Sequence, residues 1–223
     1  MDISPSEKDY IDIHSHLKTN EENVFRVRNV FSADFKSLPP DQLFSIGLHP
    51  WHLNDTSIEA LPGILDQALK LPAAKAVGET GLDRLIRINM EKQLDIFLIQ
   101  IKFAIEYKKP LIIHCVRAYS ELIELKTRFG SEIPWIIHGF NGNENITREL
   151  ISRGFYLSLG NRLLKNEDKS VKIIQYIPAS AVFIESDDDA VPVRDLYRKA
   201  AKMFRTDVLS FQRIIRDNYM KLF

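Results

Sequence analysis

The chain contains 223 residues, of which 45% are hydrophobic and 27% are charged, as in ordinary globular proteins. Its 30 basic and 30 acidic residues cancel, which disfavours a broad nucleic-acid-binding surface but allows a local cationic patch. The single cysteine, Cys115, excludes an internal disulfide, and no apolar run approaches the roughly 20 residues that span a bilayer. Residues 1–8 lack a basic-then-apolar leader. We therefore predict a soluble, cytoplasmic protein with one α/β domain over 1–223.

Short β-branched runs alternate with longer segments in which apolar residues recur every three to four positions. The predicted strands are 10–14, 24–30, 43–48, 74–78, 110–114, 135–138, 155–158 and 182–185. The predicted helices are 57–70, 89–107, 118–129, 143–153 and 168–176, followed by 194–205 and 207–222. So many strands, joined mostly by helices, predict a TIM-type (β/α)8 barrel rather than an open doubly wound sheet.

The connection between the first two predicted strands is unusually short. Residues 17–23 carry no apolar stripe, so the first helix is expected to be lost or reduced to a turn. The barrel would then be trimmed at its first βα unit.

Residues of metal-binding types end or follow several predicted strands. They are His14, His16, Glu79, His114, His138 and Asp187. In a (β/α)8 barrel the carboxyl ends of all strands meet at one rim, where active sites lie. Imidazoles and carboxylates suit Zn²⁺, Mn²⁺, Fe²⁺ or Mg²⁺. The sequence therefore predicts a metal centre at this rim.

The first strand supplies a His-x-His pair. His14 and His16 project to the same side because strand side chains alternate. Asp12 shares that parity and could accept a hydrogen bond from an imidazole. An isolated His-x-His pair more often has a structural role than a metal-binding one. Here its position at the end of an apolar strand favours binding of a metal ion.

The other candidates also have ordinary alternatives. Glu79 could bridge two cations or cap the following helix. His114 and His138 could be polar residues at a core boundary, although their matching depth in consecutive strands favours ligation. Asp187 begins a run of three acids, which is either a solvated loop or the source of a general base. Trp51 could be a core or a rim aromatic.

Six motifs occur in the order found in TatD-type metal-dependent hydrolases, and they cover essentially the whole chain. They are Asp12-Ile-His-Ser-His16, Gly47-Leu-His-Pro-Trp51, Gly78-Glu-Thr-Gly-Leu-Asp83, Pro110-Leu-Ile-Ile-His114, Ile137-His-Gly-Phe-Asn-Gly142 and Glu185-Ser-Asp187. The chain thus resembles the TatD DNase family of the amidohydrolase-like superfamily. Members are described as Mg²⁺-dependent DNases, notably 3′→5′ exonucleases.

The resemblance implies two divalent metal ions, such as Mg²⁺, Mn²⁺ or Zn²⁺, and a role for each candidate. It assigns one ion to His14, His16 and Asp187, the second to His114 and His138, and a bridging position to Glu79. Asp187 would orient or deprotonate the attacking water. His49, in the Gly-Leu-His-Pro motif, looks like a substrate-side residue rather than a ligand.

The chain departs from the family pattern around the substrate. Val116 stands where many relatives carry an arginine, and Arg117 comes one position later. Ser186 replaces a threonine before the last ligand, and 188–194 replaces a longer loop. The chain thus matches the family pattern more completely at the metal ligands than at the residues expected to contact substrate.

The predicted reaction is hydrolysis of a phosphodiester by a hydroxide that two metal ions activate. The expected substrates are DNA ends or short oligonucleotides, and their phosphates should meet cations beyond the strand ends. Such cations are Lys18, Arg84, Arg87, Arg117, Arg162, Lys165 and Arg194, of which Arg84 and Arg117 are expected to touch substrate.

Two alternatives stay open. One is a deacylase, lactonase or amidohydrolase that acts on a carbonyl, and the other is a metal-binding relic without catalysis. An arginine cluster at the rim favours phosphate, whereas an apolar rim favours esters or amides.

Overall fold

The chain has the TIM-type (β/α)8 fold predicted from its sequence. The computed structural model describes residues 4–17, 21–54, 57–130 and 132–223. Its strands form one sheet in the order β1 to β8. They are β1 (Tyr10–Ser15), β2 (Val24–Phe31), β3 (Phe44–Gly47), β4 (Ala74–Asp83), β5 (Leu111–Val116), β6 (Trp135–Ile137), β7 (Tyr156–Leu159) and β8 (Val182–Ile184).

Each predicted helix has a counterpart in the structure. The helices are α1 (Leu61–Leu69), α2 (Met90–Glu106), α3 (Tyr119–Phe129), α4 (Glu144–Ser152), α5 (Asn161–Leu164), α6 (Glu167–Ile174), α7 (Val193–Met203) and α8 (Val208–Leu222). The short helix α5 was not predicted. Short 3-10 turns occupy Ser32–Ser37, Pro50–His52 and Ala179–Ala181. No described helix is long and apolar enough to cross a membrane.

Two local features bear on the predicted boundaries. Strand β4 continues to Asp83, well beyond the predicted 74–78. Between β1 and β2, the described residues 16–17 and 21–23 contain no helix, as expected. The rest of the predicted helix-free segment, 18–20, lies outside the described residues.

Internal contacts divide the chain into two compact units, 1–28 with 137–223 and 29–136. The assignment of 1–223 to a single domain stays a prediction.

In the first unit, β1 contacts both β2 and β8. It pairs in parallel with β2, and a bridge joins Ser15 to Asp187 just after β8. Ile11 and Ile13 are fully buried, and so are Asp12 and His14, which have the opposite parity. The carboxyl ends of β1 and β8 are therefore neighbours.

Asp12 does not serve the imidazoles of β1, contrary to the sequence-based expectation. Its Oδ2 accepts a hydrogen bond from Arg26 Nε at 2.8 Å and lies 2.7 Å from Ser186 Oγ, and its Oδ1 accepts from the Ser186 amide at 3.0 Å. Full burial raises the pKa of Asp12, against the opposing effect of Arg26. The residue thus ties β1 to β2 and β8, because a buried carboxylate needs a cation and donors.

Tyr197 of α7 is held against β1 by its hydroxyl. This hydroxyl accepts from the Ile11 amide and donates to the Ile11 carbonyl, both at 2.9 Å. The side chain is fully buried, which raises the pKa of Tyr197 well above its usual value. Helix α7 is thereby fixed to the first strand.

In the second unit, helix α2 packs on β4 and presents two buried glutamines. Gln100 accepts from the Leu48 amide at 2.7 Å and donates to the Leu48 carbonyl at 3.1 Å. Gln93 accepts from the Asp83 amide at 2.8 Å and donates to the Asp83 carbonyl at 3.0 Å. One helix therefore fixes the backbone at the ends of two strands, β3 and β4.

We expect Tyr197→Phe to lower the free energy of unfolding by about 1–3 kcal/mol, because two buried backbone groups of Ile11 lose their partner. Urea denaturation followed by circular dichroism measures the change. Tyr156→Phe, which removes a hydroxyl from a half-buried ring, is the matched control and should cost less. Equal stability of Tyr197→Phe and the unmodified chain would contradict the role of this hydroxyl.

Candidate active site and metal centre

Four of the six predicted ligands lie in the first unit, and three of them form a cluster suited to a metal ion. His14, His138 and Asp187 each offer a ligand atom, and these atoms lie within 4.8 Å of one another. The Nε2 atoms of His14 and His16 are 3.7 and 3.6 Å from Asp187 Oδ1. The rings of His14 and His138 are 4.5 Å apart between centroids. The carboxylate is therefore shared among imidazoles from strand ends.

The backbone at the ends of β1 and β8 sets this arrangement. The His16 amide donates to the Asp187 carbonyl at 2.8 Å, and the Asp187 amide donates to the His14 carbonyl at 3.0 Å. Asp187 has a φ of 55°, a left-handed conformation that aspartate tolerates better than most residues. The two histidines and the aspartate are thus fixed through their main chains.

Glu185 is a buried carboxylate whose role was not predicted from the sequence. Its Oε1 accepts a hydrogen bond from the Gly139 amide and lies 3.6 Å from His138 Nδ1. Burial alone would raise the pKa of Glu185, but the neighbouring imidazoles of His138 and His14 hold it below its usual value. Such a carboxylate orients an imidazole for ligation. The sequence feature that could have identified Glu185 is its position in the Glu-Ser-Asp motif, directly after an apolar strand.

The second unit contains another cluster, formed by His49, Glu79 and His114. Their ligand atoms also lie within 4.8 Å of one another. Glu79 Oε1 is 3.1 Å from His49 Nε2 and 3.1 Å from His114 Nδ1. The Glu79 side chain is nearly completely buried, and its amide donates to Asn29 Oδ1 at 2.6 Å.

The hydrogen bonds of His49 fix its tautomer. Its Nδ1 accepts from the Trp51 amide at 3.1 Å, so in the neutral ring Nε2 carries the hydrogen. Nε2 then donates to Glu79, 3.1 Å away, and has no lone pair for a metal. This contact makes His49 an orienting group for Glu79, and the predicted contact with substrate stays a prediction.

His114 faces a carboxylate with each ring nitrogen. Nδ1 is 3.1 Å from Glu79 Oε1, and Nε2 is 3.2 Å from Asp83 Oδ2. A neutral imidazole has only one N–H, so one of these two contacts needs a second positive centre. With Nε2–H donating to Asp83, the Nδ1 lone pair and Glu79 Oε1 are together a suitable pair of ligands for a divalent cation. The donor chemistry of this cluster therefore fits a metal ion.

Asp83 is the second group that sequence reasoning passed over. Its Oδ2 accepts from Trp51 Nε1 at 2.8 Å, and its Oδ1 accepts from the Leu85 amide at 2.8 Å. Burial opposes ionisation, but these donors and His114 leave the pKa of Asp83 below its usual value. The last position of the Gly-Glu-Thr-Gly-Leu-Asp motif was its signal.

A close approach of two strands brings His114 beside Asp83. Gly81 has a φ of 139°, and a Cβ at this position would overlap the His114 carbonyl oxygen. Only glycine therefore lets β4 lie so near β5 at the level of the cluster. Gly81 pairs directly with His114 in the sheet.

The predicted rim cations differ in their surroundings. The Arg84 guanidinium forms an ion pair with Glu121, so part of its charge is already compensated. Arg117 is exposed, with a φ of 54°, three residues after His114. Lys18 lies outside the described residues. Contact of Arg84 or Arg117 with substrate stays a prediction.

Comparison with known proteins identifies the family of the chain. A family model described as TatD related DNase matches residues 28–223. A metal-dependent hydrolase of Buchnera aphidicola is 28% identical over 201 residues, covering 81% of this chain and 76% of that protein. The 3′-5′ ssDNA/RNA exonuclease TatD of Citrobacter koseri is 28% identical over 160 residues, covering 70% and 61% of the two chains.

A solved structure shares the architecture. The crystal structure of YjjV, a TatD homologue from Escherichia coli K12, superposes with a TM-score of 0.85 and covers 98% of this chain and 99% of that one, at 20% sequence identity. At this identity the likeness shows the fold, and the family rests on the model that matches residues 28–223. The chain belongs to the TatD-related DNase family of metal-dependent hydrolases.

Proposed function

We propose that the chain hydrolyses phosphodiester bonds at the ends of single-stranded nucleic acid. The observation that carries the proposal is the pair of imidazole–carboxylate clusters formed by residues in or just after the strands, one in each unit. Their donors suit hard or borderline divalent cations, which phosphodiester hydrolysis commonly uses. The exonuclease name of the Citrobacter koseri relative supports the substrate class.

The proposed ligands are those that the family resemblance implies: His14, His16, Glu79, His114, His138 and Asp187. The bound ions would neutralise charge on the phosphate and lower the pKa of water. The buried carboxylates Glu185 and Asp83 would hold the rings of His138 and His114 in the ligating orientation. His49 would hold Glu79 through its Nε2–H.

Proton transfer is proposed for Asp187. Its side chain is about one-third exposed, at 36%, whereas the Glu79 side chain is only 5% exposed. Asp187 is therefore the carboxylate that water can reach, and it would orient the attacking water and accept its proton. Arg117, exposed beyond β5, is the proposed contact for a substrate phosphate.

A carbonyl substrate is the second candidate, favoured by one observation. Trp51, whose indole is bonded to Asp83, is 57% exposed, and Leu85, whose backbone amide is bonded to Asp83, is 62% exposed. Such an apolar rim suits an ester, lactone or amide as well as a nucleobase.

We expect the protein to hydrolyse bis(p-nitrophenyl) phosphate and a single-stranded oligonucleotide only with a divalent cation, and Glu79→Gln to abolish both activities. The amide removes the negative charge that a cation requires at this position. Glu91→Gln, at an exposed acid on α2, is the matched control and should keep full activity.

Three results would count against this function. They are metal-dependent hydrolysis by Glu79→Gln, turnover of p-nitrophenyl acetate or a lactone in preference to every diester, and stoichiometric metal binding without hydrolysis. The second result would favour a carbonyl substrate, and the third a protein that binds metal without catalysis.

We expect Asp83→Asn to weaken Mn²⁺ binding by about 10- to 100-fold, because His114 loses the carboxylate that orients its ring. Calorimetric titration of the metal measures the effect. Asp95→Asn, an exposed position on α2, should bind Mn²⁺ like the unmodified chain. Unchanged affinity in Asp83→Asn would remove this carboxylate from the metal centre.

Replacing Arg117 with alanine should reduce the salt dependence of oligonucleotide hydrolysis. The slope of log kcat/KM against log salt concentration is negative, and losing one phosphate contact on a single strand should reduce its magnitude by about 0.7. Arg128→Ala, which removes an exposed charge from α3, is the control. An identical slope in Arg117→Ala would place this arginine outside the binding site.

A further inference from the structure

Trp51 is a large aromatic residue that lies exposed beside the cluster of the second unit. Its side chain is 57% exposed, whereas the other tryptophan, Trp135, is fully buried. Single exposed apolar residues are common on protein surfaces, so exposure alone indicates nothing. The contacts of this ring are more informative.

Three contacts hold the Trp51 indole in one orientation. Its Nε1–H donates to Asp83 Oδ2 at 2.8 Å. The ring packs edge-on against His49, with centroids 5.0 Å apart and an interplanar angle of 90°. Its centroid is also 5.9 Å from that of His114, at an angle of 75°. The N–H edge of the indole is thus engaged, while much of the residue remains in contact with solvent.

The same hydrogen bonds connect the indole to the proposed catalytic residues. Asp83 contacts both Trp51 and His114, and His49 contacts both the Trp51 amide and Glu79. A substrate phosphate at Glu79 and His114 would therefore lie within about one nucleotide of the indole, because the ring contacts His114 directly and is linked to Glu79 through His49. Fixed orientation lowers the entropic cost of binding a flat ligand.

We propose that Trp51 is the stacking subsite for the nucleobase next to the scissile phosphate. The inference rests on the proposed phosphodiesterase function and adds the part of the substrate that the enzyme recognises. Nucleobases stack on exposed aromatic rings in proteins that bind single strands without sequence preference. The only polar atom of the indole is already bonded to Asp83, so the subsite recognises a π-face and no base edge.

Fluorescence provides a direct test because the chain contains only two tryptophans. Trp135 is buried, so a ligand that stacks on the protein surface should quench Trp51 alone. The probes are a short single-stranded oligodeoxynucleotide and an abasic oligomer with the same number of phosphates, both titrated in chelator to prevent turnover. Trp51→Phe controls for absorption by the bases.

We expect the base-containing oligomer to quench the unmodified protein, the abasic oligomer to leave its emission unchanged, and Trp51→Phe to show no ligand-dependent change. Equal quenching by both oligomers, or by neither, would overturn the stacking subsite.

Two substitutions separate stacking from the hydrogen bond to Asp83. Trp51→Leu removes the aromatic face and the N–H, whereas Trp51→Phe removes only the N–H and keeps a ring. By equilibrium dialysis we expect Trp51→Leu to weaken binding of the base-containing oligomer roughly fivefold to 150-fold, with little effect on the abasic one. Trp51→Phe should retain most of the preference for bases. Parallel losses for both oligomers in both variants would assign Trp51 a purely structural role.

Failure of this inference is distinguishable from failure of the proposed function. Metal-dependent hydrolysis of oligonucleotides without base-dependent quenching would leave the function standing and overturn the subsite. Base-dependent quenching without hydrolysis of any diester would support the subsite and overturn the function.

Discussion

Burial of carboxylates in and just after the strands is the constraint from which the rest of this structure follows. Asp12 and Glu185 have no exposed surface, and Glu79 is 4% exposed. An ionised carboxylate removed from water costs several kcal/mol unless cations or donors surround it. Each of these acids accordingly faces a partner: Arg26 for Asp12, His138 for Glu185, and two imidazoles for Glu79. The imidazoles are thus oriented by the need to compensate buried charge, which is also the arrangement that a cation requires.

The sequence predicted the architecture well because its two periodicities are clear. Strands such as 10–14 are short and β-branched, and helices such as 89–107 carry a wide apolar stripe. Each pattern buries its apolar residues in only one type of secondary structure. The extension of β4 to Asp83 escaped prediction, because Gly78 and Gly81 interrupt the β-branched run and their fit against β5 depends on tertiary contacts.

The candidate site was predictable only in part. Ligand-type residues that follow apolar strands are recognisable from position, and the structure brings them together within each unit. The orienting acids Glu185 and Asp83 were missed because their roles depend on which imidazole lies beside them. The prediction that Asp12 accepts a hydrogen bond from an imidazole was wrong for the same reason, because Asp12 forms an ion pair with Arg26 of the neighbouring strand. The family match extends over 28–223, but Val116, Ser186 and 188–194 depart from its pattern where substrate would lie.

The two buried glutamines of α2 have a mechanical consequence. They are seven residues apart on one helix face, a separation of roughly 10 Å. Each side-chain amide forms hydrogen bonds with both the N–H and the carbonyl of a single residue. A rotation or slide of α2 would break both pairs of hydrogen bonds together. Helix α2 therefore fixes two segments at once. One begins at Leu48 and carries the Trp51 indole, and the other ends at Asp83, which accepts the hydrogen bond of that indole. Their relative spacing is set by helical pitch rather than by the loops themselves.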